Sequence, residues 1–354
     1  MKRKLGLLCC LSVVLVVGAL LLAGCGPKEK DKLVVIAWGG TYGEAFDAAV
    51  VQPFQEKYGV EVEVVTPGSS TEILAKLRAE KGNQTTDLVQ VGGFLEPTFV
   101  AEGLVADIDY PSVLENWDDL YEPCQANPKF GPGASLAATG LLYNSAELDY
   151  VPDSWMDLWD PDLAGSGKVA IFNMDANYQL GLFVIINEMM GGTSGEGGNI
   201  EPGFEKFAEL MSSHHPLISG GTDDAASYVV QSSALISVCT QSRSIELIAN
   251  GYDVGFAYPK EGTFSWPTSI GVVEGCENEE LAVKFIDFFI SPEVNADFCK
   301  RVNYSLANSK ADLSDYEYGE YLAADSIYDI DWEWVNSQRA NWIENWNINV
   351  LSLL

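Results

Sequence analysis

Histidine is almost missing from this chain: His214 and His215 are the two present in 354 residues. Basic residues are also scarce, 20 Lys+Arg against 51 Asp+Glu, for a formal charge of −31. So little positive charge excludes nucleic acid as a partner, and direct adsorption to anionic lipid with it. A neutral or cationic ligand is weakly favoured, although a solvated acidic surface accounts for the same composition. The seven cysteines show no metal-ligand spacing, and no cofactor motif is complete. Gly40 and Gly43 fit the last two glycines of a dinucleotide fingerprint, but Trp38 occupies the first glycine position. Gly165-Ser166-Gly167-Lys168 hints at a phosphate loop, yet Val169 replaces the required Ser/Thr and Asp162 the first glycine. There is no Gly-x-Ser-x-Gly elbow. His214-His215-Pro216 reads as a surface turn. No nucleophile sits with a base, so the chain does not read as an enzyme.

Long apolar runs are absent too, with one exception. Leu180–Met190 is broken by Asn187 and Glu188. The exception is N-terminal: Lys2, Arg3 and Lys4 precede an apolar run from Leu5 to Ala23, closed by Leu22-Ala23-Gly24-Cys25. That is the pattern of a secretory signal ending in a lipobox. The expectation is export, removal of residues 1–24, and a lipid anchor on Cys25 with residues 25–32 as a charged tether. Two or more acyl chains hold stably where one does not. An uncleaved transmembrane helix is the alternative, because the run reaches the ~18 residues that can span a bilayer. After cleavage, 330 residues remain; the three basic residues of the signal leave with it, so 17 Lys+Arg face 51 Asp+Glu, a formal −34. Localisation would be the outer face of the cytoplasmic membrane or the periplasm, with the membrane touched through the lipid alone. Cys124, Cys239, Cys276 and Cys299 stay in a compartment that permits disulfides. Three pairings are open; Cys276 with Cys299 is favoured, and buried free thiols are the alternative.

Along the mature chain, strand and helix patterns alternate. Leu33–Ala37 reads as a buried strand ending at Trp38 and a glycine pair. Val60–Val65 alternates with Glu61 and Glu63, and Leu88–Val91 is a third strand. Ser69 with Glu72 has capping-box spacing. Three strand–helix alternations predict a parallel α/β sheet with right-handed crossovers. A second block follows the Pro- and Gly-rich Pro123–Gly133. Its strands are predicted at Leu141–Tyr143, Lys168–Phe172, Ala234–Val238, Val254–Ala257 and Ser269–Val273. Helices are predicted over Tyr178–Met190, Phe204–Met211, Asp223–Val229, Ser242–Asn250, Leu281–Ile290 and the Trp-rich tail Trp332–Val350.

Ligands of parallel α/β sheets sit outside the carboxyl ends of strands. That rule selects the turns Trp38–Tyr42, Gly92–Phe94, Asn173–Tyr178, Thr240–Arg243 and Ser265–Thr268. Aromatic residues recur in them: Trp38, Tyr42, Phe94, Tyr178 and Trp266. Ring faces supply contact area and can hold a cation.

The blocks Val34–Phe54, Asp87–Asp109, Thr139–Gly167, Ala234–Gly262 and Trp266–Ala307 together resemble extracellular solute-binding proteins of ABC importers, nearest to the spermidine/putrescine-binding group. The most specific elements are Trp38-Gly39-Gly40-Thr41-Tyr42, Tyr258-Pro259-Lys260-Glu261-Gly262 and Leu281–Pro292. The resemblance implies a two-lobed α/β, type II periplasmic-binding-protein fold with a ligand cleft between lobes. Lobe one would be 31–139 plus 269–303, and lobe two 140–268 plus 304–354. It also implies a monomer without cofactor that closes by a hinge motion and docks on permease subunits. By the same resemblance Trp38, Phe94, Trp266 and Tyr304 match cleft aromatics, Phe94 standing where polyamine binders place a tyrosine. Two departures carry information. Thr268 stands where polyamine binders carry an aspartate for an ammonium group, and Thr240 stands in place of a cleft tryptophan, followed by Gln241 and Arg243. Asp175 remains as an amine partner. The site is therefore expected to comprise Trp38, Thr41, Tyr42, Phe94, Asp175, Tyr178, Thr240, Arg243, Trp266, Thr268 and Tyr304. A buried ammonium needs an acid or a ring beside it, so losing an acid beside Arg243 points away from a diamine. Arg243 would pair a carboxylate bidentately while Asp175 and Trp266 take an amine; a salt bridge within its own lobe is the alternative for Arg243. The expected function is an importer's substrate-binding lipoprotein for a small nitrogen-containing solute, polyamine-like, amino-acid-like or opine-like. A true spermidine/putrescine receptor is the nearest alternative; an extracellular enzyme, adhesin or sensor on the same fold is more distant.

Overall fold

The computed structural model describes residues 32–354 apart from 68, 166, 323–326 and 329, so the signal segment, Cys25 and the tether before Lys32 lie outside the described residues. Two five-stranded sheets organise them. The first takes β1 (Lys32–Ile36), β2 (Glu61–Val65), β3 (Leu88–Gly92) and β4 (Gly133–Leu136). The second takes β5 (Thr139–Asn144), β6 (Val169–Phe172), β7 (Leu217–Ser219), β8 (Ile236–Thr240) and β9 (Val254–Ala257). Then β10 (Pro267–Val272) returns to the first. The spatial orders are β2-β1-β3-β10-β4 and β7-β6-β8-β5-β9. Among the described residues, no helix is long and apolar enough to cross a membrane.

Both sheets are mixed: the parallel sheet read from the alternation is present in β1, β2 and β3, and antiparallel strands join it. β1 pairs in parallel with β2 and β3, but β10 runs antiparallel to β3 and β4. Likewise β6 is parallel to β7 and β8, whereas β5 opposes β8 and β9. The reason is the route of the chain. A parallel neighbour needs a crossover that returns to the same end of the sheet. Strands β5 and β10 instead arrive straight from the other sheet, with no helix between, and enter from the end where the parallel strands finish.

Each sheet has its own core. Leu33, Val35 and Ile36 of β1 are fully buried, as β-branched and Leu-rich strands covered on both faces should be. Phe46 meets Phe285, Phe289 and Phe298 edge-on at 6.0, 5.3 and 6.4 Å, fastening the helix Gly40–Phe46 to the helices Glu279–Phe289 and Pro292–Val302. In the second core the helix Asn177–Met189 is apolar nearly all round and buries Leu180 to Asn187. The tail helix Trp332–Asn345 and the turn Trp346–Val350 that continues it close that core: Trp342 lies 4.9 Å from Phe183 and Trp346 5.3 Å from Phe207. At ~25 cal/mol per Å², a buried indole of that size contributes roughly 4 kcal/mol before ordering costs.

Three connecting segments run side by side between the sheets. The Ala137 amide donates to the Trp266 carbonyl (3.4 Å), Thr139 to Phe264 (3.3 Å), and Leu136 and Ser305 exchange both backbone bonds at 3.0 Å. Two expectations are corrected. All four cysteines are free; Cys299 is buried on its helix and donates its thiol to the Ser305 carbonyl (3.6 Å) rather than reaching Cys276. His214 is no surface residue, since its Nε2 lies 2.9 Å from the Asp160 carbonyl at a buried helix end and His215 takes the left-handed cap.

Candidate functional site

Where the parallel strands finish, the two sheets face each other across a cavity of about 420 Å³. From the first sheet β1 delivers Trp38 and Tyr42, β3 delivers Gly92 and Phe94, and β10 delivers Thr268, its second residue. From the second, the turn after β6 brings Asp175, Asn177 and Tyr178. Ala137 and Trp266 come from the connecting segments, and Tyr304 from the one after Val302. The tail helix adds Arg339.

The walls are aromatic and rigid. Trp266 is 8% exposed and holds Tyr178 at 5.1 Å, Phe94 edge-on at 5.8 Å and Trp332 edge-on at 5.5 Å. Gly92 permits the Phe94 position, because a Cβ there would sit 2.6 Å from the ring. Opposite, Tyr42 lies 6.1 Å from Tyr304 and donates its hydroxyl to Gln90 Oε1 at 2.9 Å. Burial pushes the phenols of Tyr42, Tyr178 and Tyr304 up from their ordinary value, so they stay neutral donors. Thr268 is buried in the sheet, paired with Gly92 and Ser135, and supplies no charge.

Charge enters from two residues. Asp175 is exposed at the cavity edge. Arg339 donates from Nη1 to Asn177 Oδ1 (2.7 Å) and from Nη2 to the Asp175 carbonyl (2.6 Å). No carboxylate among the described residues forms a salt bridge with it. Burial pulls the Arg339 guanidinium down and the Asp175 charge opposes that pull; arginine remains charged regardless.

The structure thus brings Trp38, Tyr42, Phe94, Asp175, Tyr178, Trp266, Thr268 and Tyr304 to one cavity. Thr41, Thr240 and Arg243 line a neighbouring cavity of about 360 Å³ that shares Tyr42 and Tyr304. Arg243 spends its charge locally, donating to Glu246 Oε2 at 2.7 Å and standing 3.2 Å from Asp223 Oδ1. The cation of the central cavity is Arg339, which strand-end reasoning passed over. Its signal was compositional: from residue 311 to 354 it is the one basic residue in an acidic stretch.

A cleft between two mixed sheets, walled by rings and spanned by three connectors, is a binding architecture. The family model for bacterial extracellular solute-binding proteins matches residues 49–323. The chain belongs to that family. This solute-binding protein is 24% identical over 307 residues to the spermidine/putrescine-binding periplasmic protein of Salmonella typhimurium, covering 84% of each chain. It is 23% identical over 298 residues to the gamma-aminobutyric acid-binding protein of Pseudomonas aeruginosa, covering 80% of this chain and 78% of that one. Among solved structures, an ABC transporter protein from Clostridium perfringens superposes with a TM-score of 0.78 at 24% identity, over 90% of this chain and 99% of that one. The solute-binding protein is therefore a transport component rather than an enzyme, one that takes a small solute and delivers it to permease subunits.

Proposed function

We propose that this solute-binding protein captures a small zwitterion bearing both an ammonium group and a carboxylate. One observation carries the reading: Arg339 presents a guanidinium to the cavity with no salt-bridge partner among the described residues. A diamine would meet a positive charge there and find a threonine, Thr268, at the start of β10. A carboxylate would take the remaining guanidinium N–H donors in charge-assisted bonds. The ammonium end would lie against Trp266, Tyr178 and Phe94, with Asp175 as its acid. The names of the Salmonella and Pseudomonas relatives, a polyamine binder and an amino-acid binder, support a nitrogen-containing ligand.

The test is calorimetric titration with gamma-aminobutyrate, α-amino acids, betaines, opines, putrescine and spermidine. We expect binding only from carboxylate-bearing amines. Arg339→Ala should weaken it about 10- to 100-fold, the loss of a charged hydrogen-bond pair worth ~1.5–3 kcal/mol. Tight putrescine binding untouched by Arg339→Ala would return the polyamine-receptor reading.

The same proposal extends to anchoring and motion. Lobes 31–139 plus 269–303 and 140–268 plus 304–354 would close about the connectors as a monomer, with Cys25 lipidated and the body tethered outside the cytoplasmic membrane. Cells fed labelled palmitate should label the protein, and Cys25→Ala should abolish the label and leave the chain unanchored; label retained in that variant removes the lipobox reading.

A further inference from the structure

The segment that walls the ligand cavity has a second face. Trp266 and Thr268 point into the 420 Å³ cavity, whereas Ser265 and Pro267 line another of about 380 Å³. That alternation is what extended backbone imposes on successive side chains. The loop after β3 repeats it: Gly92 and Phe94 face the first cavity, Gly93 and Glu96 the second. Two chambers therefore share one wall, and Gly93 keeps it thin, since a Cβ there would stand 2.8 Å from Pro267 Cδ.

The second chamber is built for a cation. Glu96 is 5% exposed and receives the Ser269 hydroxyl on Oε1. Asn127 also bonds to it, and among the described residues no basic group opposes its charge. Ser265 lines the chamber and is 8% exposed, and its Oγ, shielded from solvent, has no hydrogen-bond partner among the described residues. Glu122 and Trp332 also line it. A buried carboxyl, an unpartnered hydroxyl and an indole are the acceptors and the ring face that an ammonium group seeks. We propose that this chamber is a second binding site, for a small primary alkylammonium, separate from the solute cleft and divided from it by Phe94 and Trp266–Thr268. Glu96 takes the charge, Ser265 turns its hydroxyl into the chamber to accept a second N–H, and Trp332 covers the alkyl part. Burial lifts the Glu96 carboxyl to about 7, so a bound cation drives its ionisation and expels a proton at neutral pH. The other titratable groups on this side are Glu122, the buried thiol of Cys124, which burial pushes well up, and the phenol of Tyr328, which burial and its bond to Glu188 push up to about 12.

The experiment titrates the mature protein with ethylammonium chloride by calorimetry at pH 7, in two buffers of different ionisation enthalpy. Expected are millimolar binding and a buffer-dependent heat that reports release of a fraction of a proton. Asp175→Asn, which alters the cleft, should leave both; Glu96→Gln should abolish both; Ser265→Ala should weaken binding several-fold. Thermal unfolding verifies that each variant is folded, and the serine variant decides the matter if the glutamine one is not. Absence of heat overturns the proposal, as does binding without proton release. So does binding that Asp175→Asn removes and Glu96→Gln spares, which would assign the amine to the solute cleft. Because ethylammonium lacks a carboxylate, failure here leaves the zwitterion reading standing, and failure of that reading leaves this one.

Discussion

Glu96 holds a carboxyl where burial favours the neutral acid, lifting it from an ordinary 4.5 to about 7 against the bonds from Ser269 and Asn127. In the unfolded chain the same group ionises near its ordinary value. Between the two, the folded state keeps a proton that the unfolded state gives up. The associated stability is fully present below about pH 4.5 and is lost as pH rises through about 7. A displacement of that size corresponds to roughly 3 kcal/mol. Asp87, also raised by burial, acts in the same direction, so the informative quantity is the difference between wild type and variant. We expect urea midpoints of the wild type to fall from pH 5 to pH 8.5, and Glu96→Gln to remove a large part of that slope. Parallel slopes would mean that Glu96 is solvated in the folded protein. The same scale shows where sequence reading stops. The sequence does not say which of Arg243 and Arg339 is already paired, and their neighbours in the fold separate them: Glu246, one helical turn away, occupies Arg243, while Arg339 reaches over to the turn at 175–177.

At the scale of elements, legibility follows locality. β1 and β3 announce themselves through continuous apolar runs, and Ser69 accepts from the Glu72 amide at 3.2 Å as its spacing foretells. Most of the site residues expected at strand ends line one cavity, because side chains at a strand terminus stay within a few residues of the strand. β4 and β7 were passed over because four residues at Gly133–Leu136 and three at Leu217–Ser219 are too short for a period to show. The direction of β5 and β10 was missed for a different reason. Periodicity reports which face is buried and says nothing of which end of the sheet the chain enters. Arg339 belongs to this scale too. It sits on an element whose indoles, Trp342 and Trp346, fix it to Phe183 and Phe207, so the position of the guanidinium is set by a core contact far from the cleft in sequence. Pattern gives that tail its helix, and tertiary packing alone gives it its place.

The whole molecule carries a formal charge of −31, and that field bears on the ligand before any contact forms. A dication approaching such a body is drawn in from a Debye length away; a zwitterion, with no net charge, is not. Salt therefore separates the two ligand classes without reference to any one side chain. Raising NaCl from about 10 mM to about 1 M shortens the screening length from ~30 Å to ~3 Å. Trp38 and Trp266 line the cavity, so stopped-flow tryptophan fluorescence reports arrival directly. For the true solute we expect an association rate that changes by less than about twofold across that range, because steering acts on net charge and the Arg339 contact forms only after encounter. The dissociation rate should rise with salt, since the proposed guanidinium–carboxylate pair would form beside Asp175, which is exposed at the cavity edge. An association rate that collapses tenfold, with dissociation unmoved, would identify a cationic ligand steered by the acidic surface and held by rings alone. In that case Arg339 would serve to keep Asp175 and Asn177 in place, and the solute would be a polyamine.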